Sequence, residues 1–255
     1  MNLDDTIQSL WDCHDSGNYF PEEWKGKLSV DDAYRVQLGI LAKKVERGAR
    51  HAGWKVGLTA NAIRGLYGAS EPVFGYLLES GLRPSGHRFR ADEIAVPFVE
   101  SEVLVTMGAD LPGPHATPEA AREAIATIAP AYEVPARRGG GLDVDFSLGL
   151  VDNVSQEAYV AGEAIPLPAG LDFGEIRVEV EIDGEVAATA IGREVMDNQL
   201  DTLAWLANAL TQYGARLQAG QRVLTGSFTK PEPGQPGKAY ESRFSGLGAV
   251  RMSFA

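Results

Sequence analysis

Cysteine is almost absent from this 255-residue chain, with Cys13 standing alone. A single thiol forms no intrachain disulfide and cannot build a cysteine-based zinc site, so a reducing, cytoplasmic setting is expected. Positive charge is also short. Twenty-three Lys and Arg face 35 Asp and Glu, a formal charge of −12, and such a balance repels a phosphate backbone. Nucleic acid is therefore not an expected partner, and basic residues pair only briefly, at Lys43 and Lys44 and at Arg137 and Arg138. No apolar run approaches the ~20 residues of a membrane span. The N-terminal MNLDDTIQSLWDC carries acids where a signal peptide carries basic residues, so neither secretion nor a membrane partner is expected. A G-x-S-x-G elbow is missing, and His14, His51, His87 and His115 fall in no triad motif, which disfavours serine hydrolysis. Gly139, Gly140 and Gly141 match neither the P-loop nor the dinucleotide spacing and read as a flexible connection. No internal repeat is visible.

What remains is ordinary for a globular enzyme: 44% hydrophobic and 23% charged residues, on a chain long enough to bury a substantial core. Residues 1–20 show a weak amphipathic helical pattern through Leu3, Ile7, Leu10 and Trp11. A second helix is expected over 30–47, capped by Ser29 and ended by glycine. HAGWKVGLTA reads as a strand and turn, NAIRGLYG as a short helix, and EPVFGYLLESGLRPSGHRF as a loop with short strands. In GADLPGPHATPEAAREAIATIAPAYEV a loop leads to a helix capped by Thr117, with Pro118 in its first turn, and then to a buried strand, APAYEV. IRVEVEIDGEVAATA alternates strictly around Asp183-Gly184, a hairpin, and LDTLAWLANALTQYG turns Leu203, Leu206, Ala207 and Leu210 to one helical face. RVLTGSFTKP and LGAVRMSFA read as closing strands. Without regular βαβ alternation the expected class is α+β, with a mixed or largely antiparallel sheet. The expected organisation is a helical N-terminal segment, 1–50, joined to a β-rich catalytic unit, 51–255, in one compact whole.

The feature that asks for an explanation is VPFVESEVLVTM. Strand side chains alternate, so Phe98, Glu100, Glu102 and Leu104 share a face. Two carboxylates are held side by side in an apolar run, and burying them costs several kcal/mol each unless something compensates. Glu133 lies in the second apolar run. Three carboxylates from two adjacent strands, with positions left open for water or substrate, suit Mg²⁺ or Mn²⁺, which prefer oxygen ligands; the alternative is a strand with a wet face. Lys55, between Trp54 and Val56, is a candidate proton-transfer group if its pocket is desolvated, and otherwise an edge-strand lysine. Ser155, Ser227 and Thr229, in DNVSQEAY and VLTGSFTKP, are candidates to hold a carboxylate or keto oxygen, or are simply turn residues.

Taken in order, GWKVGLT, EPVFGYLL, VESEVLV, APAYEV, DNVSQEAYVAG, LAWLANALTQYGARLQAGQRVLTGSFTKP and LGAVRMSF resemble the 2-keto-4-pentenoate hydratase and 4-oxalocrotonate decarboxylase branch of the fumarylacetoacetate hydrolase superfamily. The resemblance runs from about residue 30 to the C-terminus. It implies a mixed β-roll or sandwich of the fumarylacetoacetate hydrolase C-terminal type with flanking helices, in a homo-oligomer. It also implies a divalent metal held by Glu100, Glu102 and Glu133, and a 2-keto or 2-hydroxydienoic acid substrate from aromatic catabolism. The implied activity is that of a lyase, a hydratase first and a decarboxylase of a 2-oxo-enedioate as the alternative, with the metal stabilising the enolate that both share. Lys55 matches the family's proton-transfer lysine. Three departures stand out. Val73 occupies the place of an acid that assists that lysine, and Glu71 is the candidate replacement. EVPARR stands where the family reads Glu-Ile-Val-Asp-Ser-Arg, with Ala136 in place of the aspartate, and Gln156 and Glu157 are bulkier than the usual Ala-Ser-Ser-Gly. These departures leave open an altered chemistry on the same cage, or a silent subunit associated with a related hydratase or decarboxylase.

Overall fold

The computed structural model describes residues 2–60, 64, 65, 68–138, 144–194 and 198–255. Along the chain run α1 (Leu3–Asp15), α2 (Val30–Glu46), β1 (His51–Gly57), β2 (Val73–Leu78), β3 (Leu82–Pro84), β4 (His87–Phe89) and β5 (Phe98–Met107). There follow α3 (Pro118–Ala124), β6 (Ile125–Pro135), α4 (Phe146–Val151), β7 (Gln156–Ala161), β8 (Ile165–Pro166), β9 (Arg177–Ile182) and β10 (Glu185–Ile191). The chain closes with α5 (Gln199–Thr211), β11 (Arg222–Leu224), β12 (Glu232–Pro233), β13 (Ala239–Phe244) and β14 (Gly248–Phe254). The class is α+β, as the sequence pattern implied. Both sheets are mixed, and most of their ladders are antiparallel.

The larger sheet runs β2-β1-β11-β5-β6-β7-β3, with β12 added to β5 and β8 to β6. Its two outermost strands, β2 and β3, are joined by a single three-residue turn, Glu79–Gly81. Such a short link draws the edges together, so the sheet curls into a roll. Ala52, Leu77, Leu104, Ala131, Tyr159 and Leu224, one from each of six strands, meet in one buried cluster that fills the interior of this roll. Ala52 reaches that side because the register shifts between His51 and Gly53. Gly53, at φ 143°, allows the shift: a Cβ there would lie 1.9 Å from the Arg222 carbonyl oxygen, a collision any other residue would meet.

The convex side of the roll packs on the second sheet, β10-β9-β13-β14-β4, and on the helices. Val103 and Tyr132 meet Val180, Tyr240 and Val250 in one continuous core that also takes in Leu10, Val36 and Ile40 of the first two helices. Ser29 forms a reciprocal capping box with Asp32 at the start of α2, an arrangement worth ~1 kcal/mol. Within α2 the fully buried Gln37 donates to the carbonyls of Phe74 and Leu150, tying the helix to β2 and α4.

Several expectations need correction. The helix capped by Thr117 ends at Ala124, and the strand begins at once with Ile125, because β-branched Ile125, Thr127 and Ile128 fit a pleated surface better than a helical turn. Only Arg222–Leu224 of RVLTGSFTKP is strand; the chain then turns at Gly226. The segment EPVFGYLL contains a six-residue core strand, β2, whose first five residues are buried. Leu3, assigned to the apolar face of α1, is exposed. The short helix expected in NAIRGLYG and the glycine run at 139–141 lie outside the described residues, apart from positions 64, 65 and 68.

Candidate metal centre at the mouth of the roll

Strand directions bring the candidate residues to one end of the roll. β1 is parallel to β11 and antiparallel to β2, while β5 is antiparallel to β11 and β6. The end of β1, the start of β2, the start of β5, the end of β6 and the segment after β11 therefore converge. Glu100 and Glu133 are direct cross-strand partners on β5 and β6, and Glu102 sits one pleat deeper on the same face. One oxygen from each of the three carboxylates lies within 4.8 Å of the others. Glu102 and Glu133 are 0% exposed, and Glu100 is half-buried.

Lys55, on β1 between Leu224 and Gly75, points into the same cluster, with Nζ 2.8 Å from Glu133 Oε1. That contact is a close ion pair, and the second oxygen of Glu133 has no partner. Glu102 accepts one bond, from the Gly226 amide to Oε2 at 2.8 Å, and its Oε1 has no partner. Burial and the neighbouring Glu133 and Glu100 push the Glu102 pKa well above the carboxylate range. Burial and Glu133 raise Glu100 to about 7, with Lys55 and Arg137 opposing. At Lys55 burial works against the charge, but Glu133, Glu100 and Glu102 outweigh it and raise the pKa.

Two buried carboxylates, a half-buried third and one ammonium leave a surplus of negative charge, with unpartnered oxygens on Glu102 and Glu133. That set fits a hard divalent cation: the donors are all oxygen, and among the described residues no thiol or imidazole joins the cluster. The wet-face alternative for this strand is excluded by the burial of Glu102 and Glu133.

Backbone strain collects at the same end. Six described non-glycine residues have left-handed φ; Asp183 belongs to the β9–β10 hairpin turn, and the other five, Leu58, Val96, Asn153, Val154 and Ser155, all flank the mouth. Residues held this way cost ~1–3 kcal/mol each and cluster at ligand sites. Asn153 is pinned by a pair of bonds to the backbone of Tyr76, accepting from its amide and donating to its carbonyl. Val154 thereby reaches the floor of the mouth. A Cβ placed on Gly57 would sit 3.4 Å from Val73 Cγ2, 3.7 Å from Val154 Cγ1 and 3.8 Å from Lys55 Nζ. The lysine ammonium and the two valine side chains therefore border one space beside Gly57.

The other candidates are less intimate with the carboxylates. Ser155 is half-buried with φ 61°, and its carbonyl accepts from the Ala136 amide. Ser227 donates to the Thr229 carbonyl at 2.8 Å; both lie on the turn that carries Gly226, and neither bonds to the three glutamates. Glu71 is exposed ahead of β2, and the groups that feel its charge are Tyr34 and Tyr213. The structure does not bring it to Lys55, whose charged neighbours are the three triad glutamates. The sequence pattern had not singled out Gly226, although a glycine directly after a strand is a usable signal. At φ 110°, with Thr59 Cγ2 only 2.6 Å from where a Cβ would lie, it admits no side chain without moving the amide that holds Glu102. Gly226→Ala is expected to cost ~2–4 kcal/mol of stability and to weaken metal binding by about tenfold or more. Thermal melts with and without Mg²⁺ test this, and an unchanged response to the metal would refute it.

The fold and the acidic cluster together define a class: an α+β protein with a divalent-cation type of carboxylate site at the mouth of a β-roll. The chain belongs to the fumarylacetoacetate hydrolase family, whose C-terminal domain description matches residues 62–255. It is 28% identical over 258 residues to 2-keto-4-pentenoate hydratase of Paraburkholderia xenovorans, covering 98% of this chain and 94% of that protein. It is 30% identical over 243 residues to a 4-oxalocrotonate decarboxylase of Pseudomonas putida, covering 95% and 90%. Among solved structures, the 4-oxalocrotonate decarboxylase of Pseudomonas putida G7 complexed with magnesium and adipate is similar over 99% of this chain and 96% of that one, with a TM-score of 0.87 and 28% identity. No helix among the described residues is long and apolar enough to cross a membrane.

Proposed function

We propose that this chain is a divalent-metal-dependent lyase that hydrates a 2-hydroxydienoic acid by way of its 2-keto tautomer. One observation carries the reading: three clustered carboxylates, two of them buried with unpartnered oxygens, and an ammonium 2.8 Å from one of them, at the mouth of a roll whose fold matches hydratases and decarboxylases. Glu100, Glu102 and Glu133 would hold Mg²⁺ or Mn²⁺. Bound there, the ion would supply positive charge to the 1-carboxylate and 2-oxygen of an α-keto acid.

The chain's own residues do the rest. The Gly226 amide fixes the Glu102 carboxylate, and Lys55 is buried, with Val73 and Val154 bordering the space beside its ammonium. Lys55, raised in pKa and paired with Glu133, rests as the ammonium and is placed to deliver a proton to a substrate carbon and to recover it. In the hydration the 2-hydroxyl proton is lost while C5 is protonated; water oxygen then joins C4 and a proton joins C3. No oxidation or reduction occurs. Ser155, Ser227 and Thr229 stand at the rim as candidates to orient the acid.

Decarboxylation of a 2-oxo-enedioate is the second reading, and the buried valine at position 73 favours it. Loss of CO₂ needs one proton delivery to carbon and a dry pocket, and the place where an assisting acid would stand is Val73. The names of the relatives fit the breakdown of aromatic compounds. A cytoplasmic homo-oligomer, able to associate with a related lyase, is the setting we propose. Assay of a panel of hydroxydienoates and oxo-enedioates with Mg²⁺ and with a chelator decides among these. Turnover of either class, abolished by the chelator, is expected. Full activity in chelator refutes both lyase readings, and metal binding without turnover on any member of the panel identifies a silent subunit.

A further inference from the structure

One buried cation near the mouth plays no part in the chemistry above. Arg138 lies just beyond the end of β6, and only 11% of its side chain is exposed. Its Nη1 donates to Asp152 Oδ1 at 2.8 Å, and its Nη2 donates to the Gln156 carbonyl at 3.1 Å and to the Glu157 carboxylate. Tyr19, from the segment after α1, covers the guanidinium, with its ring centre 4.7 Å away. Asp152 is itself buried.

The partners of Arg138 bracket a strained turn. Asp152 comes directly before Asn153, Val154 and Ser155, with φ of 56°, 53° and 61°, and Gln156 and Glu157 come directly after them. Three successive side-chain-bearing residues in the left-handed region stay there only if their surroundings hold them. Inside the turn the Ser155 amide donates to the Asp152 carbonyl at 3.0 Å. From outside, a planar guanidinium fork bonds both ends at once, which an ammonium cannot do with the same geometry. Glu157, one of the departures of this chain from the family pattern, supplies the outer arm of that clamp.

The turn in turn rests on the strand that faces the lysine. Gly75 is the cross-strand partner of Lys55. A Cβ on Gly75 would lie 2.8 Å from Asn153 Oδ1 and 2.9 Å from the Asn153 carbonyl oxygen, so the turn packs directly on that position. The next residue, Val154, borders the space beside the Lys55 ammonium. Glu100, Glu102 and Glu133, by contrast, are held by the β5–β6 ladder. We propose that Arg138 is a positioning residue for Lys55, acting through the 153–155 turn whose two ends it clamps. The proposal rests on the reading of Lys55 as the proton-transfer group.

The test compares the wild type with Glu157→Gln, with Arg138→Lys and with the double variant Arg138→Gln/Asp152→Asn, which removes both buried charges together so that neither is left unpaired. Three quantities are read well below each melting midpoint: Mg²⁺ affinity by calorimetry, exchange of the C3 hydrogens of saturating 2-oxopentanoate with D₂O in the Mg²⁺-loaded protein, and backbone amide exchange over residues 152–157. C3 exchange should fall about 2–5-fold in Glu157→Gln, about tenfold in Arg138→Lys and ~10–100-fold in the double variant, with Mg²⁺ affinity within about twofold throughout. Amide exchange over the turn should quicken in the same order. A purely structural role would lower the midpoint and leave C3 exchange by the folded protein alone. The proposal is overturned if C3 exchange is unchanged in the folded variants, if Mg²⁺ affinity falls in step with it, or if the turn amides stay as protected as in the wild type. Glu157→Gln alters an exposed partner, so it reports even where the double variant does not fold. A wild type that neither exchanges nor turns over any acid refutes the lyase reading; the clamp is then supported by faster amide exchange in the variants and overturned by unchanged protection.

Discussion

Glu102→Gln is expected to make the metal-free protein more heat-stable while abolishing its response to Mg²⁺. The two effects have one cause. Glu102 is 0% exposed, one of its oxygens has no partner, and Glu133 and Glu100 stand beside it. Without a cation this group either carries a buried charge opposed by its neighbours or takes up a proton, and both cost folding free energy. An amide of the same shape can still accept from Gly226 and carries no charge. The metal-free variant should gain ~1–2 kcal/mol, or about 2–8 °C at this chain length. The wild type, given Mg²⁺ at about 100 times its Kd, should gain ~2.7 kcal/mol from binding, and the variant almost none. Melting curves with chelator and with Mg²⁺ check both halves. A lower midpoint for the metal-free variant, or a retained response to Mg²⁺, sinks the assignment of Glu102 as a ligand.

The same cluster fixes how the metal-free wild type responds to pH. The Glu100 pKa is raised from 4.5 to about 7, chiefly by burial and then by Glu133. A raised carboxyl pKa contributes stability that is fully present below the ordinary value and is lost as the pH climbs through the folded one. The metal-free midpoint should therefore fall between about pH 4.5 and 7. Mg²⁺ should reduce that fall.

Much of this site could be read from the sequence because its signals are local. Glu100 and Glu102 declare a shared face through strand alternation, and Ser29, Thr117 and Asp183-Gly184 mark ends and turns by their own chemistry. Glu133 was visible as a charge inside a second apolar run. Other features depend on contacts between distant segments. The parallel pairing of β1 with β11 joins residues far apart in the chain, and no residue of β1 signals it. The roll closes because a three-residue turn happens to join the two outer strands. β13, AYESRF, has polar outward positions that resemble a loop until Tyr240, Ser242 and Phe244 are seen packed inward. DNVSQEAY reads as turn residues, yet only its first part is turn: β7 begins at Gln156, directly after three left-handed residues whose cost is met by contacts such as the Asn153 bonds to Tyr76. Glu71 looked close to Val73 in sequence, but it is exposed ahead of the strand, and its charge is felt at Tyr34 and Tyr213.

Lys55→Met separates proton transfer from metal binding, and its effects on the two should run in opposite directions. Lys55 is 4% exposed and neutralises part of the cluster from 2.8 Å away. Methionine fills a similar volume but carries neither charge nor proton. The three clustered carboxylates then face one another without a counter-charge, so the metal-free protein should be less stable, by ~3–5 kcal/mol as for other buried pairs broken at one partner. A divalent cation meets less repulsion than before, so Mg²⁺ affinity should hold or rise, the opposite of Glu102→Gln. Turnover should fall by ~10²–10⁴-fold, the usual contribution of a positioned acid or base. Exchange of the C3 hydrogens of a bound 2-keto acid with D₂O should fall with it, since that exchange needs proton transfer but neither water addition nor loss of CO₂. If the variant binds Mg²⁺ and the acid normally yet exchanges at the wild-type rate, Lys55 is only a structural counter-ion to Glu133, and the proton must come from another group. If exchange and turnover fall together while Mg²⁺ binding is kept, burial of Lys55 and its pairing with Glu133 explain how one lysine serves with a valine at position 73.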